Sequence, residues 1–166
     1  TELVNVAGLL LAGKKSWDGR DGVPEIVVEL ESEALLYGNG TQIESIVGNL
    51  LSNAIRHTPA DGTVVMTWRT NKKGAEIIVE DTGEGIAAEH IPRLTERFFR
   101  VDRGRSRDDG GVGLGLAIVK HILNRHDGEL QISSEPGEGS RFRCWFPTAR
   151  VAVQEPEAVA GQASGA

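Results

Sequence analysis

The strands of this chain come in adjacent pairs, and no other feature restricts its fold as much. Thr63–Thr70 and Ala75–Asp81 are β-rich runs joined by the short turn Asn71–Gly74, and Glu129–Ser134 and Ser140–Pro147 flank Pro136–Gly139 in the same way. Runs separated by a few turn residues read as hairpins. Hairpins build antiparallel sheet, which excludes a doubly wound fold of strictly alternating strands and helices. Pro24–Glu31 adds a strand with Ile26, Val28 and Leu30 on one face. Helical periodicity is expected over residues 3–17 (Leu3, Val6, Leu10 and Trp17 on the apolar stripe), Thr41–His57, Glu89–Glu96 and Gly113–Arg125. Thr41 and Glu44 have the spacing of a capping box, and Thr58-Pro59 closes that helix. The expected fold is α/β (α+β): a two-layer α/β sandwich, with a mixed, mostly antiparallel sheet covered on one face by helices.

The chain has 166 residues, enough for one domain with a single core. Its longest apolar run, Ala7–Ala12, is far too short to cross a membrane. One cysteine, Cys144, rules out an internal disulfide, and its place in a strand face with Phe142 and Phe146 points to a buried thiol. A net charge of −6 argues against a nucleic-acid surface but leaves room for an anionic ligand held by local positive potential. Val151–Ala166 has the composition of a disordered tail.

On the wheel of the 41–57 helix, Ile43, Ile46, Val47, Leu50 and Ala54 form the core stripe, while Asn49, Asn53 and Arg56 form a polar stripe beside it, with His57 between the two. Asparagine is a mediocre helix former, so two at this spacing need a reason. Amide oxygens are hard, neutral ligands suited to Mg²⁺, and Arg56 is placed to meet phosphate. A solvated face with two incidental asparagines is the other reading of this helix taken alone.

Nine of the 21 glycines cluster in three places, Asp81–Ile86, Gly104–Gly115 and Gly137–Gly139. In Glu80–Ile86 an aspartate at a strand end precedes Gly83 and Gly85, placing a carboxylate next to bare backbone; it can take a hydrogen bond from an exocyclic amine, or simply form a surface turn. Gly110–Leu116 runs straight into a helix, where free amides and the helix dipole favour phosphate, although it meets neither the dinucleotide-binding nor the P-loop pattern. Arg97–Gly111 is a long basic loop, either a solvated run or a lid whose arginines reach a triphosphate.

In order and spacing these pieces resemble the catalytic ATP-binding domain of bacterial sensor histidine kinases. Ser45–Pro59, "SIVGNLLSNAIRHTP", is similar to that family's N box; "VEDTGEGI" at Val79–Ile86 to its first glycine box; "ERFFRVD" at Glu96–Asp102 to its phenylalanine box; "GVGLGL" at Gly111–Leu116 to its second glycine box; and "PGEGSRF" at Pro136–Phe142 to its last glycine element. The run from Phe98 to His121 looks closest to the phosphate-regulon sensor kinases. The resemblance implies ATP and Mg²⁺ as ligands, and an ATP lid loop. It implies Asn49 and Asn53 as the Mg²⁺ pair, Arg56 on the phosphates and His57 stacked on adenine. It implies Asp81 as the acid that reads adenine, with Gly83, Gly85 and Ile86 beside the ring. Arg100 and Arg105 fall at lid positions, Gly111, Gly113, Leu114 and Gly115 on the phosphate-side loop, and Ser140 at the closure of the adenine pocket. Thr95 and Val112 depart from the pattern, standing where an aromatic and a polar residue are usual.

The same resemblance implies a division into residues 1–22, the end of a connection from a dimerisation hairpin plus a first helix; 23–149, the ATP-binding domain; and 150–166, a tail. None of His57, His90, His121 and His126 fits a phosphoacceptor, so no catalytic residue is expected in this chain. His121 and His126 read as ordinary helix residues. Related ATPases of the gyrase and heat-shock type carry glutamate where Asn49 stands, and an amide cannot act as a base. The expected activity is therefore transfer of the ATP γ-phosphoryl group to a histidine on a separate domain, with the phosphoryl group passing on to a response regulator. The expected setting is a membrane-anchored homodimer with this domain on the cytoplasmic side of the inner membrane, the isolated chain being a monomer. A non-catalytic nucleotide-sensing or interaction module is the alternative.

Overall fold

A computed structural model describes residues 1–94 and 115–153. Its main sheet has five strands: β2 (Glu25–Leu30), β4 (Thr63–Asn71), β5 (Gly74–Asp81), β6 (Glu129–Glu135) and β7 (Gly139–Phe146). They lie in the order β2-β4-β5-β7-β6. β2 and β4 are parallel and the other pairs antiparallel, so the sheet is mixed as expected. Three helices pack on it: α1 (Val6–Trp17), α2 (Gly40–Arg56) and α3 (Gly115–Arg125). The expected sandwich is the one observed, and Glu89–Glu96 is replaced by a 3₁₀ turn at Ala88–Arg93.

Alternation decides which sheet face meets the helices. Val64, Met66 and Trp68 on β4, Ile77 and Val79 on β5, and Phe142, Cys144 and Phe146 on β7 are all buried against Ile43, Ile46, Val47, Leu50, Leu51 and Ala54 of α2 and Val119, Ile122 and Leu123 of α3. Burial pushes the Cys144 thiol far above its usual range, so it stays protonated and inert.

The opposite sheet face is charged. Glu76, 5% exposed, accepts Arg69 Nε at 2.6 Å and faces Arg143 Nη1 at 2.7 Å, and Arg143 also reaches Gln131 on β6. This ladder ties β4, β5, β7 and β6 together over buried Thr67 and Ile78. Truncating Glu76 to alanine strands two guanidinium groups that still touch water. The expected loss is about 1–3 kcal/mol in urea unfolding, below the cost for a fully buried pair.

Three expectations are corrected. Residues 2–4 are a strand, β1, not the start of a helix, and Leu3 is half exposed rather than on a core stripe. The N-cap of α2 is Asn39, whose Oδ1 accepts the Gln42 N–H at 2.9 Å, not Thr41. Val151–Ala152, assigned to the tail, form β8. β1 and β8 both pair with β3 (Leu35–Gly38), which the sequence reading did not anticipate, in a small antiparallel sheet. Strands this short carry too little alternation to be seen.

His126 lies just beyond α3 and is buried. Its Nε2 accepts the Asn39 N–H at 3.1 Å and its Nδ1 lies 2.8 Å from the Ile122 carbonyl. A carbonyl only accepts, so the ring is the Nδ1–H tautomer with both nitrogens satisfied. It fastens the end of α3 to the capping residue of α2.

Candidate functional site

α2 presents both ends of the site. Its core stripe is buried as expected, and Asn49, Asn53, Arg56 and His57 lie half-buried beside it. At the first end, Asn49 Nδ2 donates to the Ser45 carbonyl at 2.8 Å and to Ser45 Oγ at 3.1 Å. With the amide nitrogen tied back, Oδ1 turns toward Gly115, the first residue of α3, where an added Cβ would lie 2.9 Å from it. An oriented, neutral oxygen next to a helix N-terminus suits a hard cation shared with phosphate. Among the described residues no cluster of three or more His, Cys, Asp or Glu could hold a metal, so a cation here would rely on amides and ligand oxygens.

About 12 Å further along the helix, at the spacing of eight residues, His57 forms the C-cap of α2. Its Nδ1 lies 3.2 Å from Glu84 Oε2, and its carbonyl accepts the Glu84 N–H at 3.4 Å. This pair holds the ring over the start of the glycine loop. Asp81, the last residue of β5, is buried and its Oδ1 accepts the Gly83 N–H at 2.9 Å. Burial raises its pKa above the ordinary aspartate value; the amides of Gly83 and Ser140 and the nearby His57 oppose that rise, and Glu84 adds to it.

The glycines also answer a packing demand. A Cβ on Gly83 would collide with the His57 carbonyl oxygen, one on Gly85 (φ +77) with that of Glu135, and one on Gly139 (φ +134) with that of Asp81. They let three backbone segments close around Asp81. Gly137 adds a tie, donating its N–H to the Glu84 carbonyl at 2.7 Å.

Ser134 was missed by the sequence reading. Its Oγ lies 2.7 Å from the Ile86 nitrogen, 2.9 Å from the Gly139 carbonyl and 2.9 Å from Ser140 Oγ. Its signal was there: Leu130, Ile132 and Ser134 alternate onto the inner face, and a serine following two apolar residues marks where the core gives way to something polar. A hollow of about 490 Å³ at this sheet end is lined chiefly by Thr63, Val65, Glu80, Ser133 and Arg141, residues of the face turned away from α2, and so is distinct from the space between Asp81 and His57. Arg100, Arg105, Gly111, Gly113 and Leu114, with Thr95 and Val112, lie outside the described residues.

Two helices crossing at a glycine, a buried strand-end aspartate and a glycine loop folded against the cap of the first helix define an ATPase-type nucleotide fold. The family model for histidine kinase-, DNA gyrase B-, and HSP90-like ATPases matches residues 38–150, and the chain belongs to that family. It is 43% identical over 154 residues to the phosphate regulon sensor protein PhoR of Pseudomonas aeruginosa, a match covering 93% of this chain and 33% of that protein. Its fold matches the mycobacterial sensor histidine kinase MprB with a TM-score of 0.74 at 26% identity, over 88% of this chain and 97% of that one. It matches full-length ShkA, solved in complex with AMPPNP, with a TM-score of 0.77 at 27% identity, over 92% of this chain and 31% of that one. Within the family, then, this chain aligns with the ATPase domain of proteins named as sensor kinases. The chain spans about a third of the length of the curated relatives it matches. No helix among the described residues is long and apolar enough to cross a membrane.

Proposed function

We propose that this domain presents Mg²⁺·ATP to a histidine on a separate helical-hairpin domain of the same kinase, which then passes the phosphoryl group to a response regulator. The observation that carries this reading is Asn49: the side chain at the phosphate end of α2 is an amide with its oxygen turned out, not a carboxylate. Water or a hydroxyl must lose a proton to attack phosphorus, and an amide cannot take it. An imidazole nitrogen attacks with its own lone pair, the bond to the β-phosphate oxygen breaks, and ADP leaves. Such a transfer asks the protein chiefly for alignment and charge neutralisation.

In this reading Asn49 and Asn53 would hold Mg²⁺, which would supply positive charge to offset that of the phosphates. Arg56, Arg100 and Arg105 meet phosphate, and Gly111, Gly113, Leu114 and Gly115 line the phosphate-side loop. Asp81 accepts the adenine amine, His57 stacks on the ring, Gly83, Gly85 and Ile86 shape the loop beside it, and Ser140 closes the pocket. The likeness to a phosphate regulon sensor protein supports a sensor of phosphate supply; we propose besides that the whole protein is a homodimer anchored at the inner membrane with this domain in the cytoplasm.

Calorimetric titration of the chain with ATP, with and without Mg²⁺, tests the assignment. Asn53→Ala is expected to weaken Mg²⁺·ATP binding by at least about tenfold while leaving metal-free ATP binding little changed. A folded chain that binds no nucleotide at millimolar ATP would instead favour an interaction module. Rapid ATP hydrolysis without an acceptor would contradict the role given to Asn49.

A further inference from the structure

Ser134 has one proton and three close polar neighbours. The Ile86 N–H can only donate to it, and the Gly139 carbonyl can only accept from it. The Ser134 proton therefore goes to Gly139, and the third contact, to Ser140 Oγ, is satisfied only if Ser140 donates. Any other arrangement sets lone pairs of Ser134 and the Gly139 carbonyl against each other at 2.9 Å. Ser140 is thus left with lone pairs alone for the pocket. Its backbone amide and that of Gly83 are spent on Asp81, whose carboxylate is also an acceptor. The wall formed by Asp81 and Ser140 offers acceptors only.

We propose that Ser134 is the positioning residue for base selection: by taking the Ser140 proton it makes this wall acceptor-only, so that the site takes a purine carrying an amino group and rejects one carrying a carbonyl at the same place. This rests on the nucleotide-site reading above. Ser134 itself touches no base; it acts through Ser140 and through the Ile86 amide, which fixes the far end of the glycine loop.

The test compares ATP with inosine triphosphate, which bears a carbonyl where ATP bears an amine and an N1–H where ATP has a bare N1, and with purine riboside triphosphate, which lacks the amine but keeps the bare N1, by calorimetry with Mg²⁺ on the whole chain. Wild type is expected to prefer ATP. In Ser134→Ala the Ser140 hydroxyl is free to turn its proton to the pocket, so the ATP-over-inosine preference should shrink by about three- to tenfold, the worth of one hydrogen bond. Ser134→Thr keeps the hydroxyl and should restore the preference, which a merely structural loss would not produce. Should Ser134→Ala fail to fold, Ser134→Cys takes its place, since a thiol accepts weakly and should narrow the preference in part. If the folded variant keeps the full wild-type preference, the role of Ser134 is overturned while the site assignment stands. If wild type binds none of these nucleotides, the site reading fails and this inference falls with it.

Discussion

Asp81→Asn is expected to weaken ATP binding by about ten- to a hundredfold and at the same time to lessen the fall in stability of the ligand-free chain between acid and neutral pH. The binding loss follows from removing the charged acceptor for the base amine and placing an amide donor beside Ser140. The change in pH dependence follows from burial. Asp81 has a raised pKa in the fold, caused first by desolvation, so folding at neutral pH holds a charge where it is disfavoured. The sign is definite. Between the ordinary aspartate pKa of 3.8 and the raised folded value, the native state binds more protons than the unfolded chain. Stability from this group is therefore full at the acid side and falls as pH rises through that window. Asparagine keeps the oxygen that accepts the Gly83 N–H and removes the titrating charge, but leaves the Ser140 amide without its acceptor. Thermal unfolding of wild type and variant at acid and neutral pH, beside a calorimetric titration, reads both effects. A variant that binds ATP as wild type does, or loses stability as steeply between acid and neutral pH, would contradict this account of Asp81. Wild-type ATP affinity should also fall as pH drops through the raised pKa, earlier than for an exposed aspartate.

Gly139→Ala should be the most damaging single methyl at this end of the sheet. The residue sits at φ +134, a conformation L side chains rarely adopt, and its Cβ would enter the Asp81 carbonyl oxygen, with Thr82 Cα 3.1 Å away. Neither neighbour is a flexible side chain, so the β5–β7 pairing itself must give. A cost of about 2–4 kcal/mol is expected in urea unfolding. ATP binding should fall with it, because Asp81 is paired directly with Ser140. Gly137→Ala is the control: it shares a positive φ but has open space around it, so only conformational strain, about 1 kcal/mol, is expected.

The parts of the fold that were legible in the sequence are those with enough residues to show a period. α2 shows three turns of apolar spacing, and the two hairpins show clear alternation with turns at Asn71–Gly74 and Pro136–Gly139. β1, β3 and β8 were invisible because two to four residues carry no period, and their pairing is fixed by contacts far apart in the chain. The polar stripe of α2 and the strand-end position of Asp81 were readable as local chemistry. The work of the glycines was not: each is required by a carbonyl from another segment, and such a neighbour leaves no trace in the glycine's own surroundings in sequence. His126 and Ser134 were passed over for the same reason, since each earns its role from partners on other elements.

α2 works as a ruler. His57 meets the glycine loop at one mark and Asn49 meets the start of α3 at another, with continuous helix between them. Each residue of helix advances the chain by about 1.5 Å and turns it by roughly 100°, so one residue added between the marks would swing Asn49 away from Gly115 while His57 kept its place. Surface loops can lengthen without such a penalty. The tolerance of this domain for change in length is therefore confined to its loops, while the interval between its Asp81 and Asn49 ends is set by helical pitch.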